Sequence, residues 1–262
     1  NQAGVKSVPG AYKLTVTPKG IIITGFDECG AFWGLQTLRH MVGESGDMRI
    51  PCCTIKDWPD GDIRGLVDCS YDNRWSQDFR LSVIGLAGNL KMNEYVYAPK
   101  DDPYASGPDW YMPYSQGAAD SLKVLVDACG KNRMAFTWCI RPNEEFSWSE
   151  SDYGLLLGKF EMMHFLGVRS FGILFDDVPY SEGFETRKQE FIDRLNSEFV
   201  SRKKDVKPLL TTLDGYYNAG SRLESLKLGL YGFADRGWNS EDYDPMASLE
   251  WAAGKISPDV AD

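Results

Sequence analysis

The pattern of apolar positions changes character twice along the chain. Tyr12 to Thr17 alternates apolar with polar, Lys19-Gly20 turns, and Gly20 to Thr24 returns, which predicts a β-hairpin. From Ala31 to Met41 the apolar residues Phe32, Leu35, Leu38 and Met41 recur at helical spacing. The cluster Asp57-Trp58-Pro59-Asp60-Gly61 then reads as a turn and closes a small N-terminal α/β domain, residues 1–60.

Beyond that boundary, apolar runs alternate with helical stretches. Ile63–Val67, Met92–Ala98, Met134–Ile140, Ser170–Phe175 and Pro208–Thr211 predict strands buried on both faces. Leu122, Leu125, Val126 and Cys129 make one helical stripe, and Phe191, Ile192, Leu195 and Phe199 another. Such alternation implies parallel βαβ units. A polar or charged group follows each run: Asp68, then Lys100-Asp101-Asp102, Arg141, Asp176-Asp177 and Asp214. In a (β/α)8 barrel those strand ends surround the active site, and no GxGxxG or P-loop favours an open nucleotide-binding sheet instead. The expected fold is therefore α/β, a TIM-barrel catalytic domain over residues 61–214 of which five strand–helix units are counted. Residues 215–262 form a third, C-terminal segment.

Composition narrows the partners. A net charge of −10 and a pI of about 4.8 argue against nucleic acid and against an anionic membrane surface, leaving neutral small molecules, sugars and proteins. No apolar run reaches the ~18 residues of a membrane span. The six cysteines have neither disulfide-scaffold density nor metal spacing, so buried free thiols are expected. With only His40 and His164, and no HExxH or CxxC, no metal, cofactor or Ser-His-Asp triad is expected. No signal peptide is visible, and Asn1 is expected to mark a processed end or a chosen boundary, which leaves localisation unread.

Two adjacent carboxylates at the end of an apolar strand, Asp176-Asp177, repel one another, and partial burial raises one pKa. Glycoside hydrolysis needs that division between a protonated acid and an ionised partner. A single Asp after a strand is as readily a turn or helix cap. The Lys100-Asp101-Asp102-Pro103-Tyr104 loop reads equally as a solvated charged turn or as a donor to sugar hydroxyls. Tyr104, Trp110, Tyr111 and Tyr114 are candidates for packing on sugar faces, although most aromatics are core. Arg141 pairs either with an acidic ligand or with a neighbouring Asp.

Two long segments carry a family resemblance. Lys91 to Tyr104 resembles the family 84 glycoside hydrolase hallmark after the second barrel strand. Lys159-Phe160-Glu161 and Leu166-Gly167-Val168-Arg169-Ser170-Phe171, running into Phe175-Asp176-Asp177, resemble its catalytic strand. Tyr12 to Gly20 and Gly30 to Leu38 resemble the N-terminal domain of the same O-GlcNAcase and bacterial hyaluronidase-like group, and Leu230 to Ala234 and Trp238-Asn239 resemble its helical segment after the barrel, which makes 215–262 the expected post-barrel helical segment.

The resemblance implies a retaining, substrate-assisted β-N-acetylglucosaminidase acting on terminal N-acetylglucosamine of glycans or glycoproteins. Asp176 would orient the substrate's acetamido group and Asp177 would act as general acid and base. Lys100 would contact the sugar hydroxyls. Asn218 matches a sugar-binding Asn, or in an alternative register Tyr217 matches a family Tyr. Resemblance to bacterial members favours a secreted or periplasmic protein. Two departures stand out. Cys69 replaces a glycine close to the bound sugar, and Arg141 replaces a His, which suggests an acidic or modified sugar. They raise the alternative of a weakened member that binds glycans or glycoproteins without efficient turnover. The family's strands six to eight have no counterpart, so either a break between about Thr212 and Asn218 or a sheet edge covered by a partner chain is expected.

Overall fold

The computed structural model describes residues 4–44, 49–69, 75–143, 145–175 and 178–211. The segment 212–262, with the expected break, the helical region, Tyr217 and Asn218, lies outside the described residues.

The predicted hairpin is present. Strands β1 (Tyr12–Thr17) and β2 (Gly20–Gly25) pair antiparallel, with Thr17 opposite Gly20 across the turn. Helix α1 (Glu28–Glu44) follows. Asp27 caps it by accepting the Gly30 N–H at 2.7 Å, and its other oxygen accepts the Gly10 N–H at 3.0 Å. A strand that the apolar pattern does not single out, β3 (Cys53–Asp57), pairs on the other side of β1. Alternate β1 residues Tyr12, Leu14 and Val16 are buried with Trp33 of α1, as the period of two requires. Gly10 packs against that tryptophan at φ +78°, and a Cβ there would lie 1.9 Å from the Trp33 ring. Gly10→Ala is therefore expected to cost about 1–3 kcal/mol, seen as a lower Tm with the far-UV spectrum retained.

Five strands form the second sheet: β4 (Gly65–Asp68), β5 (Glu94–Tyr97), β6 (Ala135–Ile140), β7 (Ser170–Ile173) and β8 (Leu210–Thr211). All neighbours are parallel and lie in the order of the chain. Helices α2 (Gln77–Asn89), α3 (Gln116–Lys131), α4 (Glu150–Leu166) and α5 (Phe184–Leu195) make the crossovers. A sheet whose strand order never reverses has no switch point, unlike a doubly wound sheet. The described strands are part of the circle of a (β/α)8 barrel, accompanied by the small N-terminal α/β unit.

Local sequence explains the crossovers. Ser76, Ser115 and Ser149 each accept an N–H three residues on, and Asp152 completes a capping box with Ser149. Gly167, at φ 111°, ends α4 in the left-handed conformation. Side chains of β5 to β7 split by parity. Tyr95, Tyr97, Phe136, Trp138, Ile140, Phe171 and Ile173 join the helices in the main core. Val96, Ala98 and Cys139 cluster separately on the opposite face, with Leu174 and Leu210 against them. At the edge, by contrast, Ile63 and Val67 are about half exposed.

All six cysteines are free thiols; Cys129 and Cys139 are buried, as their surroundings suggest, whereas Cys52 is exposed and Cys29, Cys53 and Cys69 are half-buried. Burial pushes the Cys129 thiol up to about 12, with Glu94 adding to the shift, so this thiol is inert near neutrality. Among the described residues no helix is long and apolar enough to cross a membrane, and no group of His, Cys, Asp and Glu could hold a metal ion.

Candidate active site

The carboxyl ends of the parallel strands gather several of the predicted residues. Asp68, at the end of β4, is fully buried and receives the Arg80 Nε at 2.7 Å and the Tyr95 hydroxyl at 3.0 Å. It binds a helix to the sheet: Arg80 belongs to α2, and the pair is shielded from water. The next residue, Cys69, is half-buried and accepts from Arg141 Nη2 at 3.3 Å. Arg141 is buried, and its Nη1 also donates to the Ala98 carbonyl. These contacts place the guanidinium against protein groups of two other strand ends.

Lys100 lies half-buried in the turn that follows Ala98. That turn is fastened by a carboxylate which reads from sequence as part of a solvated turn. Asp102 is only 7% exposed. Its Oδ2 accepts the Tyr97 hydroxyl at 2.9 Å and the Tyr114 hydroxyl at 2.8 Å, and its Oδ1 accepts the Tyr104 N–H at 3.0 Å. Trp138 Nε1 donates to the Tyr114 oxygen at 3.0 Å, extending the network into β6. Burial, reinforced by the Asp102 charge, pushes the Tyr97 and Tyr114 hydroxyls well above the usual tyrosine value, so both donate as neutral phenols.

Beneath this network sits a second group the sequence does not announce. Lys159 of α4 is 3% exposed, donates to the Met112 carbonyl at 2.7 Å and lies 4.3 Å over the Tyr114 ring. Desolvation lowers its pKa from 10.5 to about 8, against the opposing pull of Asp102. Below pH 8 the fold carries the full cost of the buried ammonium. As pH rises towards 10.5 the unfolded chain holds the proton that the folded chain has released, so stability rises. The wild-type minus Lys159→Met difference in unfolding free energy is expected to grow by up to about 3 kcal/mol across that window, measured by urea titration at each pH. A flat difference would show that the ammonium is not desolvated.

The aromatic residues proposed for sugar faces divide. Trp110 is buried and packs on Phe146, and Tyr114 belongs to the Asp102 network. Tyr111 is 42% exposed. Tyr104 is half-buried, tilted on Tyr114.

Asp176 and Asp177 lie outside the described residues. Phe175, just before them, is 1% exposed, with Trp148 stacked on it at 5.1 Å and Phe146 and Phe191 alongside. Val178, just after, is buried and donates its N–H to the Phe175 carbonyl at 3.2 Å. Phe175, two residues beyond β7, is thus seated in aromatic packing.

Comparison with known proteins identifies relatives of this chain. Residues 64–228 match the family model of beta-N-acetylglucosaminidase, and residues 2–58 match glycosyl hydrolase family 20, domain 2. The protein O-GlcNAcase of Rattus norvegicus is 30% identical over 118 residues, 45% of this chain and 13% of its own length. The N,N'-diacetylchitobiase of Vibrio harveyi is 32% identical over 93 residues, 36% of this chain and 10% of its own. The solved structure of CpGH84B aligns with TM-score 0.72 and 33% identity, over 80% of this chain and 37% of that one. A Thermobaculum terrenum O-GlcNAc hydrolase mutant aligns with TM-score 0.52 and 25% identity, over 57% and 34%. The chain therefore spans a minor part of the length of these relatives. The model match covers more than half of the chain, includes both hallmark segments and bears out the resemblance to family 84: the chain belongs to the beta-N-acetylglucosaminidase family of glycoside hydrolases.

Proposed function

We propose that this chain is the barrel portion, with its preceding small domain, of a β-N-acetylglucosaminidase that removes terminal β-linked N-acetylglucosamine from glycans or glycoproteins with retention of configuration. The observation that carries the reading is the family match over residues 64–228, which spans both hallmark segments. Asp176 is assigned to orient and polarise the substrate's acetamido group, whose oxygen attacks the anomeric carbon and expels the aglycone as an oxazoline forms. Asp177 is assigned to protonate the leaving oxygen, then to deprotonate the water that opens the oxazoline. Such a division needs no enzyme nucleophile, metal or cofactor. Lys100 is assigned to the sugar hydroxyls, and the buried Asp102 network supports this by fixing the turn on which Lys100 stands. Asn218 or Tyr217 is assigned to the sugar as well. Residues 1–60, 61–214 and 215–262 are the corresponding domain, barrel and post-barrel segments.

The test is turnover of a fluorogenic β-N-acetylglucosaminide beside the matching β-glucoside. Cleavage of the first alone, lost in Lys100→Ala, supports the assignment. Equal cleavage of the glucoside would point to an enzyme carboxylate nucleophile.

A further inference from the structure

Tyr12, Trp33 and Asp57 of the small α/β unit and Arg64, Leu90 and Lys91 of the barrel segment line one cavity of about 280 Å³. Arg64 precedes β4 and Lys91 precedes β5, so the cavity lies at the amino ends of these strands. The candidate active site stands at the opposite, carboxyl ends. A volume just below the usual range of small-molecule pockets limits any ligand to a compact one.

Two buried donors of lining residues have no acceptor among the described residues, Trp33 Nε1 and Arg64 Nη2. The other nitrogens of Arg64 are spent on backbone: Nε donates to the Lys91 carbonyl at 3.2 Å and Nη1 to the Gly61 carbonyl at 2.7 Å. Its Cζ lies 4.5 Å over the Trp33 ring, which brings guanidinium and indole together. Burial holds the Arg64 guanidinium below the usual arginine value, and Asp57 and Asp62 oppose that shift only through space. A half-buried cation with a donor to spare and no carboxylate in contact favours an anion. Lys91 does not compete for it, because its Nζ is committed to Asp57 Oδ2 at 3.0 Å and the Tyr12 oxygen at 2.8 Å. Asp57 is occupied in turn: Oδ2 also accepts the Tyr12 hydroxyl at 2.7 Å, and Oδ1 accepts the Trp58 N–H at 2.9 Å. With the exposed Asp60, the lining sets two carboxylates against two cations, so a multiply charged anion is repelled. Pro59, Leu90 and the rings of Trp33 and Trp58 add apolar wall.

We propose that this cavity binds a compact monocarboxylate with an apolar body, its oxygens accepting from Arg64 Nη2 and Trp33 Nε1 and its body packing on Trp58, Pro59 and Leu90. A planar carboxylate matches the edge of a guanidinium. A neutral amide brings one acceptor to two donors and no charge. Phosphate carries a second charge towards Asp57 and Asp60. The site does not depend on the glycosidase function, since none of its residues belongs to the assignment made above.

The test is a titration of the full, nitrogen-15-labelled chain with phenylacetate, followed through the indole N–H signals, with phenylacetamide and inorganic phosphate as controls. Trp33→Phe identifies the Trp33 signal. Phenylacetate is expected to saturate with a Kd below about 1 mM and to shift that signal. Phenylacetamide is expected to bind at least about tenfold more weakly, and phosphate to leave the signal in place. Arg64→Met should weaken phenylacetate at least about tenfold. Asp60→Asn, at an exposed position, should tighten it by about two- to fivefold, because a repelling charge is removed. Equal affinity for the amide, or a preference for phosphate, would overturn the ligand class. A Trp33 signal that stays in place at about tenfold the expected Kd would leave its N–H to water and sink the site. Shifts confined to other tryptophans would do the same. If Arg64→Met does not fold, Asp60→Asn decides, and an unchanged Kd in that variant rejects the proposal.

Discussion

Asp177→Asn is expected to slow hydrolysis of an N-acetylglucosaminide with a poor leaving group by about 10²–10⁴-fold. A substrate whose leaving group departs without a proton should be spared most of that loss in the first step. The asymmetry follows from the assigned role, since an amide cannot donate the proton that an unactivated alkoxide needs. Asp176→Asn should slow all leaving groups alike, because the acetamido nucleophile is weakened without the carboxylate that orients and polarises the group. Initial rates for a series of aryl N-acetylglucosaminides of graded leaving-group pKa separate the two. Parallel slopes for the two variants would exchange or abolish the assignment.

Asp102→Ala is expected to have the largest effect on stability, about 3–5 kcal/mol. Truncation strands the hydroxyls of Tyr97 and Tyr114 and the Tyr104 N–H, and removes the charge that faces the Lys159 ammonium. Asp102→Asn keeps the shape and part of the accepting capacity, so it should lose less. Urea unfolding gives the ranking. Because the turn bearing Lys100 is fastened through Asp102, both variants should also weaken sugar binding, and the weaker fold should show the weaker binding. Asp102→Ala at wild-type stability would mean that the buried network is not maintained.

The main strands were legible because burial on both faces leaves a nearly unbroken apolar run, as in Met134–Ile140 against the observed Ala135–Ile140. Edges were less so. The expected Ile63–Val67 strand is Gly65–Asp68, since apolar residues at a half-exposed edge do not report pairing. Cys53–Asp57 is not legible because a five-residue strand with few apolar positions merges into the turn after it. In the site, spacing cannot distinguish a solvated Asp from a buried one. Asp102 is buried only because Tyr97 and Tyr114 converge on it from the strand and from the loop that leads into α3. Spacing likewise gives no sign that the Arg141 side chain reaches the Cys69 sulfur and the Ala98 carbonyl, on two other strand ends.

The order of the five parallel strands has a bearing on how the chain acquires its shape. Each strand pairs with the one made just before it, so every addition closes only the loop through its own crossover helix. The growing sheet can be extended by accretion as the polypeptide emerges, without waiting for a distant segment. Its kinetics then resemble those of a stacked repeat array, where each unit is templated by its predecessor. Lesions in β4 or α2 should delay every later unit. Lesions near β8 should leave the earlier units able to form.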